Sequence, residues 1–253
     1  CAMSTRAMEA SRRWARAGGR ARGHARGMTA GTRWVGGGGG GTRRESAARA
    51  AFSDVGLGDE SLVRALEGME ITEPTEIQAK AIEIIGRGPG NVFVASHTGS
   101  GKTLAYLLPV IERMKRAEEE AGERLAKPKR PKVVVTCPTR ELAEQVAEVA
   151  KALSHVCKFS SYLVVGGKSL GKQKERLDSP IDVIIGTPGR LIKHVEQGNL
   201  FLGGVDSMVL DEADTLFEAG FGDEVKRLLR PLKARPEGKT CVLVSATMPD
   251  RLR

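Results

Sequence analysis

Eight residues, Ser96-His-Thr-Gly-Ser-Gly-Lys-Thr103, combine the side chains needed to hold a polyphosphate. Glycines at 99 and 101 let backbone N–H groups close around phosphate oxygens with no Cβ in the way. Lys102 brings a point charge to the β/γ-phosphates, and the Thr103 hydroxyl can ligate Mg²⁺. Thr98 and Ser100 complete the loop. The strict pattern has Gly at the first position, where this chain has Ser96. A second group, Val209-Leu-Asp-Glu-Ala-Asp214, ends an apolar run in acids. There Asp211 can hold Mg²⁺ and Glu212 can polarise an attacking water. Together the two groups predict binding of a nucleoside triphosphate with Mg²⁺ and hydrolysis of its terminal phosphate.

Such groups need a scaffold. From Phe52 onward, short apolar runs alternate with helical patterns. Strands are predicted at Asn91–Ala95, Lys132–Cys137, Ser161–Val165, Asp182–Gly186, Ser207–Leu210 and Thr240–Ser245. Helices are predicted near Thr75–Ile85, Lys102–Arg116, Arg140–Leu153, Arg190–Gln197 and Asp223–Leu229. Several strands are unbroken Val/Ile/Leu runs, as expected when both faces are covered. The alternation predicts an α/β fold, a parallel sheet with helices on both faces. Ligands on such sheets bind beyond the carboxyl ends of the strands, where both chemical groups fall.

The chain's net charge is +9. Residues 1–51 hold eleven Arg and two acids, so the whole excess lies there, and residues 52–253 carry 29 charges of each sign. Any nucleic-acid surface in 52–253 must therefore come from local placement of charge. Residues 1–51 are rich in Arg, Ala and Gly and include the run Gly36–Gly41, which predicts a disordered leader. An organellar transit peptide and a basic arm that holds RNA phosphates both fit this composition. The mixed run Lys115–Lys132 reads as a solvated helix end and loop. No apolar run has the roughly 18–20 residues of a membrane-spanning helix, so no membrane is expected. Cys137 and Cys241 lie in apolar runs and read as reduced core residues; His97 is expected to face solvent, and His155 and His194 to lie on helix surfaces.

The chain further contains Pro74-Thr-Glu-Ile-Gln78, Pro138-Thr-Arg-Glu-Leu142, Gly166-Gly167, Thr187-Pro-Gly-Arg190 and Ser245-Ala-Thr247. With the phosphate loop and the tetrapeptide Asp211–Asp214, these resemble, in order, the motifs of the first RecA-like lobe of DEAD-box RNA helicases. The resemblance implies a RecA-like P-loop domain over 52–253, with ATP and Mg²⁺ as cofactors and RNA as partner. It implies that Gln78 reads the adenine edge and that Phe52 stacks on the base, with simple packing the alternative for Phe52. Arg140, Gly167, Thr187 and Arg190 would grip the RNA backbone, and the helix after Arg190 would wedge one strand. Arg190 could instead cap or pair locally. Ser245 and Thr247 would bond to Asp214 and couple the two ligands.

The resemblance also implies a second RecA-like lobe, with arginines for the γ-phosphate, that is missing from this sequence. The chain alone is therefore expected to bind nucleotide weakly and hydrolyse it slowly. Three readings stay open: part of a full RNA helicase, a one-lobed RNA- and ATP-binding module, and a DNA helicase of the wider superfamily. The segments 96–109, 196–199 and 214–221 resemble a plant and algal chloroplast subgroup involved in ribosomal RNA maturation. A chloroplast location and ribosome-assembly or RNP partners follow from that likeness. A mitochondrion, the nucleus or the cytoplasm are the alternatives.

Overall fold

A computed structural model of the chain describes residues 32–36 and 51–246. Its sheet has seven parallel strands: β1 (Arg33–Gly36), β2 (Gly90–Ala95), β3 (Val133–Thr136), β4 (Ser161–Val164), β5 (Val183–Gly186), β6 (Ser207–Leu210) and β7 (Thr240–Ser245). They lie in the order β1-β2-β7-β6-β3-β5-β4. Eight helices connect and cover them among the described residues. These are α1 (Glu60–Gly68), α2 (Glu76–Gly86), α3 (Lys102–Ala121), α4 (Arg140–Ser154), α5 (Leu170–Leu177), α6 (Pro188–Glu196), α7 (Ala213–Glu218) and α8 (Gly222–Ala234).

The continuous apolar strands build two cores at once. In β3, Val133 and Val135 belong to the core under α1–α4, and Val134 to the core under α6–α8. Ile184 and Ile185 of β5 divide between the same two cores. Side chains alternate across a pleated strand, so a sheet covered on both sides needs apolar residues at every position. Local chemistry fixes the helix starts. Thr75 caps α2 through a reciprocal capping box with Gln78, Asp59 and Thr139 cap α1 and α4, and Pro188 occupies the first turn of α6.

All six predicted strands form, with ends shifted by at most a residue. The differences are informative. Arg33–Gly36, which composition assigns to the leader, is instead the edge strand β1, paired in register with Val92–Ala95. Four residues are too few to show a period, and their hydrogen bonds come from β2. The remaining leader positions, 1–31 and 37–50, lie outside the described residues. Helices α1, α5 and α7 were not anticipated. Helix α5 buries only Gln173 and Leu177, and α7 has six residues, so neither displays a clear apolar stripe. The charged stretch after α3 is less free than expected: Arg124 meets the buried carboxylate of Asp182 at 2.7 Å. Cys137, Cys157 and Cys241 are buried free thiols. No described helix is long and apolar enough to cross a membrane.

Candidate nucleotide and RNA site

The chemistry-bearing residues collect at the carboxyl edge of the sheet, in two neighbouring halves. The first half surrounds β2, β7 and β6. The loop leaving β2 runs into α3 through Gly99 (φ 80°) and Gly101 (φ 85°), both in the left-handed region that favours glycine. A Cβ at Gly101 would drive into the Gln78 amide. That amide accepts from Thr75 N at 2.9 Å and donates to the Gly101 carbonyl at 3.2 Å, while the Thr75 hydroxyl donates to the Ser100 carbonyl at 3.0 Å. The start of α2 thus braces the phosphate loop. Lys102 Nζ arches over the loop, donating to the carbonyls of Ser96 at 2.6 Å and His97 at 3.0 Å. Thr98 is exposed at the loop's crest, and His97 faces solvent as expected.

Asp211 and Glu212 follow β6, one strand away from β2. Asp211 is 3% exposed. Its Oδ2 accepts from the buried Tyr106 hydroxyl at 2.7 Å and its Oδ1 from Glu212 N at 2.9 Å. Burial pushes the Asp211 carboxyl above its usual range, opposed by these bonds and by the Lys102 charge. Burial, then the charges of Asp211 and Asp214, raise Glu212 as well, which makes it a better proton acceptor. Glu212 is also in the left-handed region (φ 46°, ψ 54°). For a residue with a Cβ this conformation costs about 1–2 kcal/mol. Strain of that kind concentrates at functional sites.

These residues fit Mg²⁺ with a nucleotide. Ser100 Oγ is buried within the loop with no partner, a hydroxyl left for a phosphate oxygen. Among the described residues no group of three His, Cys, Asp or Glu could hold a metal by itself. Magnesium needs no such cage, because it binds through one or two carboxylates, waters and substrate phosphates. Thr103 and Asp211 would supply the protein's share. A bound ion would offset the negative charge that collects on the phosphates.

The second half lies beyond β3, β5 and β4. Arg140 opens α4, and its guanidinium lies against the loop after β4, where a Cβ at Gly167 (φ 81°) would sit 2.5 Å from Arg140 Nη1. Arg140, Gly166, Thr187 and Arg190 line one open groove of about 440 Å³, together with Lys193 and Phe221. Three of the four residues singled out from separate motifs, Arg140, Thr187 and Arg190, thus share one groove, and the fourth, Gly167, adjoins it against Arg140. Lys193 lies one turn beyond Arg190 on α6, so helical spacing alone could have found it. Phe221 precedes α8 and closes the segment 214–221, but nothing in the sequence links it to this groove.

The halves are joined. Ser245, at the end of β7, donates to Asp214 Oδ2 at 2.8 Å. Thr247, expected to share that contact, lies outside the described residues. Two expectations need correction. Phe52 is 2% exposed and packs in the core, so it offers no face to a base. His194 is fully buried rather than on a surface. Gln173 Nε2 donates to the Val165 carbonyl, which turns Gln173 Oε1 toward His194 Nε2 at 2.9 Å. This assigns the proton to Nε2 and ties the glycine loop to α6 through the core. Burial, then Arg190 and Lys193, hold this imidazole below its ordinary range.

The profile of DEAD/DEAH box helicases matches residues 75–253. The chain belongs to this family. It is 46% identical over 202 residues to DEAD-box ATP-dependent RNA helicase 39 of Arabidopsis thaliana, covering 78% of the chain and 32% of that relative. Similarity to the maize DEAD-box ATP-dependent RNA helicase 3A, chloroplastic, is 39% over 200 residues, 79% of the chain and 26% of the relative. For the RNA helicase CrhR of Synechocystis it is 36% over 204 residues, 81% and 38% respectively. The chain therefore spans about a third of the length of these DEAD-box relatives.

Proposed function

We propose that this chain is the ATP- and RNA-binding lobe of an ATP-dependent RNA helicase. The carrying observation is the placement of Lys102, Asp211 and Glu212 at one edge of the sheet, close enough for the lysine charge to act on both carboxyls. ATP-Mg²⁺ occupies the first half: the loop amides, Ser100 and Lys102 take the phosphates, and Thr103 and Asp211 hold the ion. Gln78 retains one N–H and one lone pair beyond its present bonds, enough to meet an adenine edge. Glu212 accepts the proton of the attacking water.

RNA backbone lies in the groove of Arg140, Thr187 and Arg190, with Gly167 beside it against Arg140; their donors suit phosphate oxygens and ignore base identity. Ser245–Asp214 links the two ligands. With a second lobe supplying arginines to the γ-phosphate, the same lobe would open short duplexes or remodel RNP.

Labelled single-stranded RNA and DNA of one sequence, titrated with the chain and an ATP analogue, test this reading. Binding should favour RNA and be indifferent to base sequence. Arg190→Ala should reduce the slope of log affinity against log salt by about 0.7, one phosphate contact on a single strand. Preference for DNA, or an unaltered slope, would overturn the reading of the groove.

A chloroplast role in ribosomal RNA maturation belongs to the same proposal. Its support is the Arg-rich, acid-poor leader and the word "chloroplastic" in the names of two maize relatives. Residues 1–50 fused to a fluorescent protein should enter chloroplasts; diffuse cytosolic fluorescence would defeat the location.

A further inference from the structure

Tyr106 is one of two tyrosines in the chain and is completely buried, yet none of the nucleotide or RNA roles above includes it. It lies on α3 one turn beyond Thr103, on the same face of the helix. Its hydroxyl crosses to the end of β6 and donates to Asp211 Oδ2 at 2.7 Å, a bond between residues 105 apart in sequence. The Thr103 side chain lies close enough to the phenol to favour its ionised form. Asp211 is held from its other side as well: Oδ1 accepts from Glu212 N, and the Asp211 N–H donates to the Thr136 carbonyl at 2.9 Å. One lone pair on each carboxylate oxygen is thereby occupied, and one on each remains for a cation or its water.

We propose that Tyr106 is a positioning residue for magnesium, a buried phenol beside Thr103 that fixes the orientation of the Asp211 carboxylate before the ion arrives. This rests on the Mg²⁺-ATP reading above and extends it by a residue. A purely apolar side chain would fill the space under the loop equally well. The hydroxyl would then be a costly burden in a core position, because a buried O–H without a partner is destabilising. Here its donor is spent on Asp211, one of the two residues expected to hold the ion. Partners that orient a metal's carboxylate are typically worth 10–100-fold in metal affinity.

Tyr106→Phe isolates the hydroxyl and keeps the ring. The probe is a fluorescent ATP analogue at fixed concentration with the chain, titrated with Mg²⁺ and, separately, measured in EDTA. The Mg²⁺ midpoint should rise about 10–100-fold in the variant, while the analogue's affinity in EDTA stays at the parent value. Asp211→Asn and the double variant should share one midpoint, because Tyr106 acts through Asp211. An unchanged midpoint in Tyr106→Phe, with the parent responding to Mg²⁺, overturns the proposal alone. A parent whose nucleotide binding ignores Mg²⁺ overturns the Mg²⁺-ATP reading and this proposal with it.

If Tyr106→Phe does not fold, 3-fluorotyrosine in the otherwise unaltered chain provides the second measurement. Its two ¹⁹F signals are assigned by Tyr162→Phe. The Tyr106 signal should move on adding Mg²⁺ with nucleotide and hold still with nucleotide in EDTA. A signal that ignores Mg²⁺ rejects the proposal.

Discussion

Glu212→Gln is expected to slow hydrolysis of bound ATP by about 10²–10⁴-fold, the range associated with a positioned general base, with little change in ATP affinity. The side chain keeps its size and shape but loses its negative charge and its ability to accept a proton. Its setting favours that ability: burial and the neighbouring Asp211 and Asp214 raise the carboxyl above its ordinary range. The strained backbone at Glu212 (φ 46°) starts α7 without a side-chain cap, so the residue is not there for helix capping. Asp211, beside it, has both oxygens engaged by Tyr106 and Glu212 N and is far more deeply buried. Two adjacent carboxylates are thus divided between a fixed one suited to an ion and a freer one suited to water. Single-turnover release of labelled phosphate, in the presence of RNA, gives the rate. A parent-like rate would remove Glu212 from the chemical step.

Lys102→Ala should act on binding instead. Charged hydrogen bonds contribute about 1.5–3 kcal/mol, so ATP affinity should fall roughly 10–100-fold. Lys102 Nζ already points across the phosphate loop, held by the carbonyls of Ser96 and His97. On binding, it would exchange those carbonyls for β- and γ-phosphate oxygens. The loop itself should persist, since Thr75 and Gln78 brace it independently through Ser100 and Gly101. Calorimetric titration with ATP measures the loss, and titration with adenosine provides the control. Adenosine lacks phosphates, so its binding should be indifferent to the change. Equal losses for both ligands would mean that the alanine had collapsed the loop.

Much of the fold was legible because its signals are local. The runs Val133–Thr136 and Val183–Gly186 need no partner to be read as buried strands, and Thr75, Thr139 and Pro188 mark helix starts through their own side chains or ring. Arg33–Gly36 was misread because an edge strand this short takes its identity from the strand beside it. His194 was misread because its burial depends on Gln173 and Asn199 arriving from other segments. Phe52 carried a role borrowed from a resemblance, and packing gave its ring another place.

The sequence by itself determined the residue types proposed to hold phosphate, metal and attacking water, the α/β alternation that carries them, and the family. Those follow from short-range order: a glycine's φ, a lysine after a loop, an acid at a strand's end. Only the tertiary structure decided that β7 separates the phosphate-loop strand from the acidic strand and that Arg140, Thr187 and Arg190 share a groove across the next three strands. It also decided that Tyr106 reaches Asp211 from 105 residues away. Strand order and long-range hydrogen bonds arise from how two faces of apolar side chains close over one sheet. No single segment contains that information.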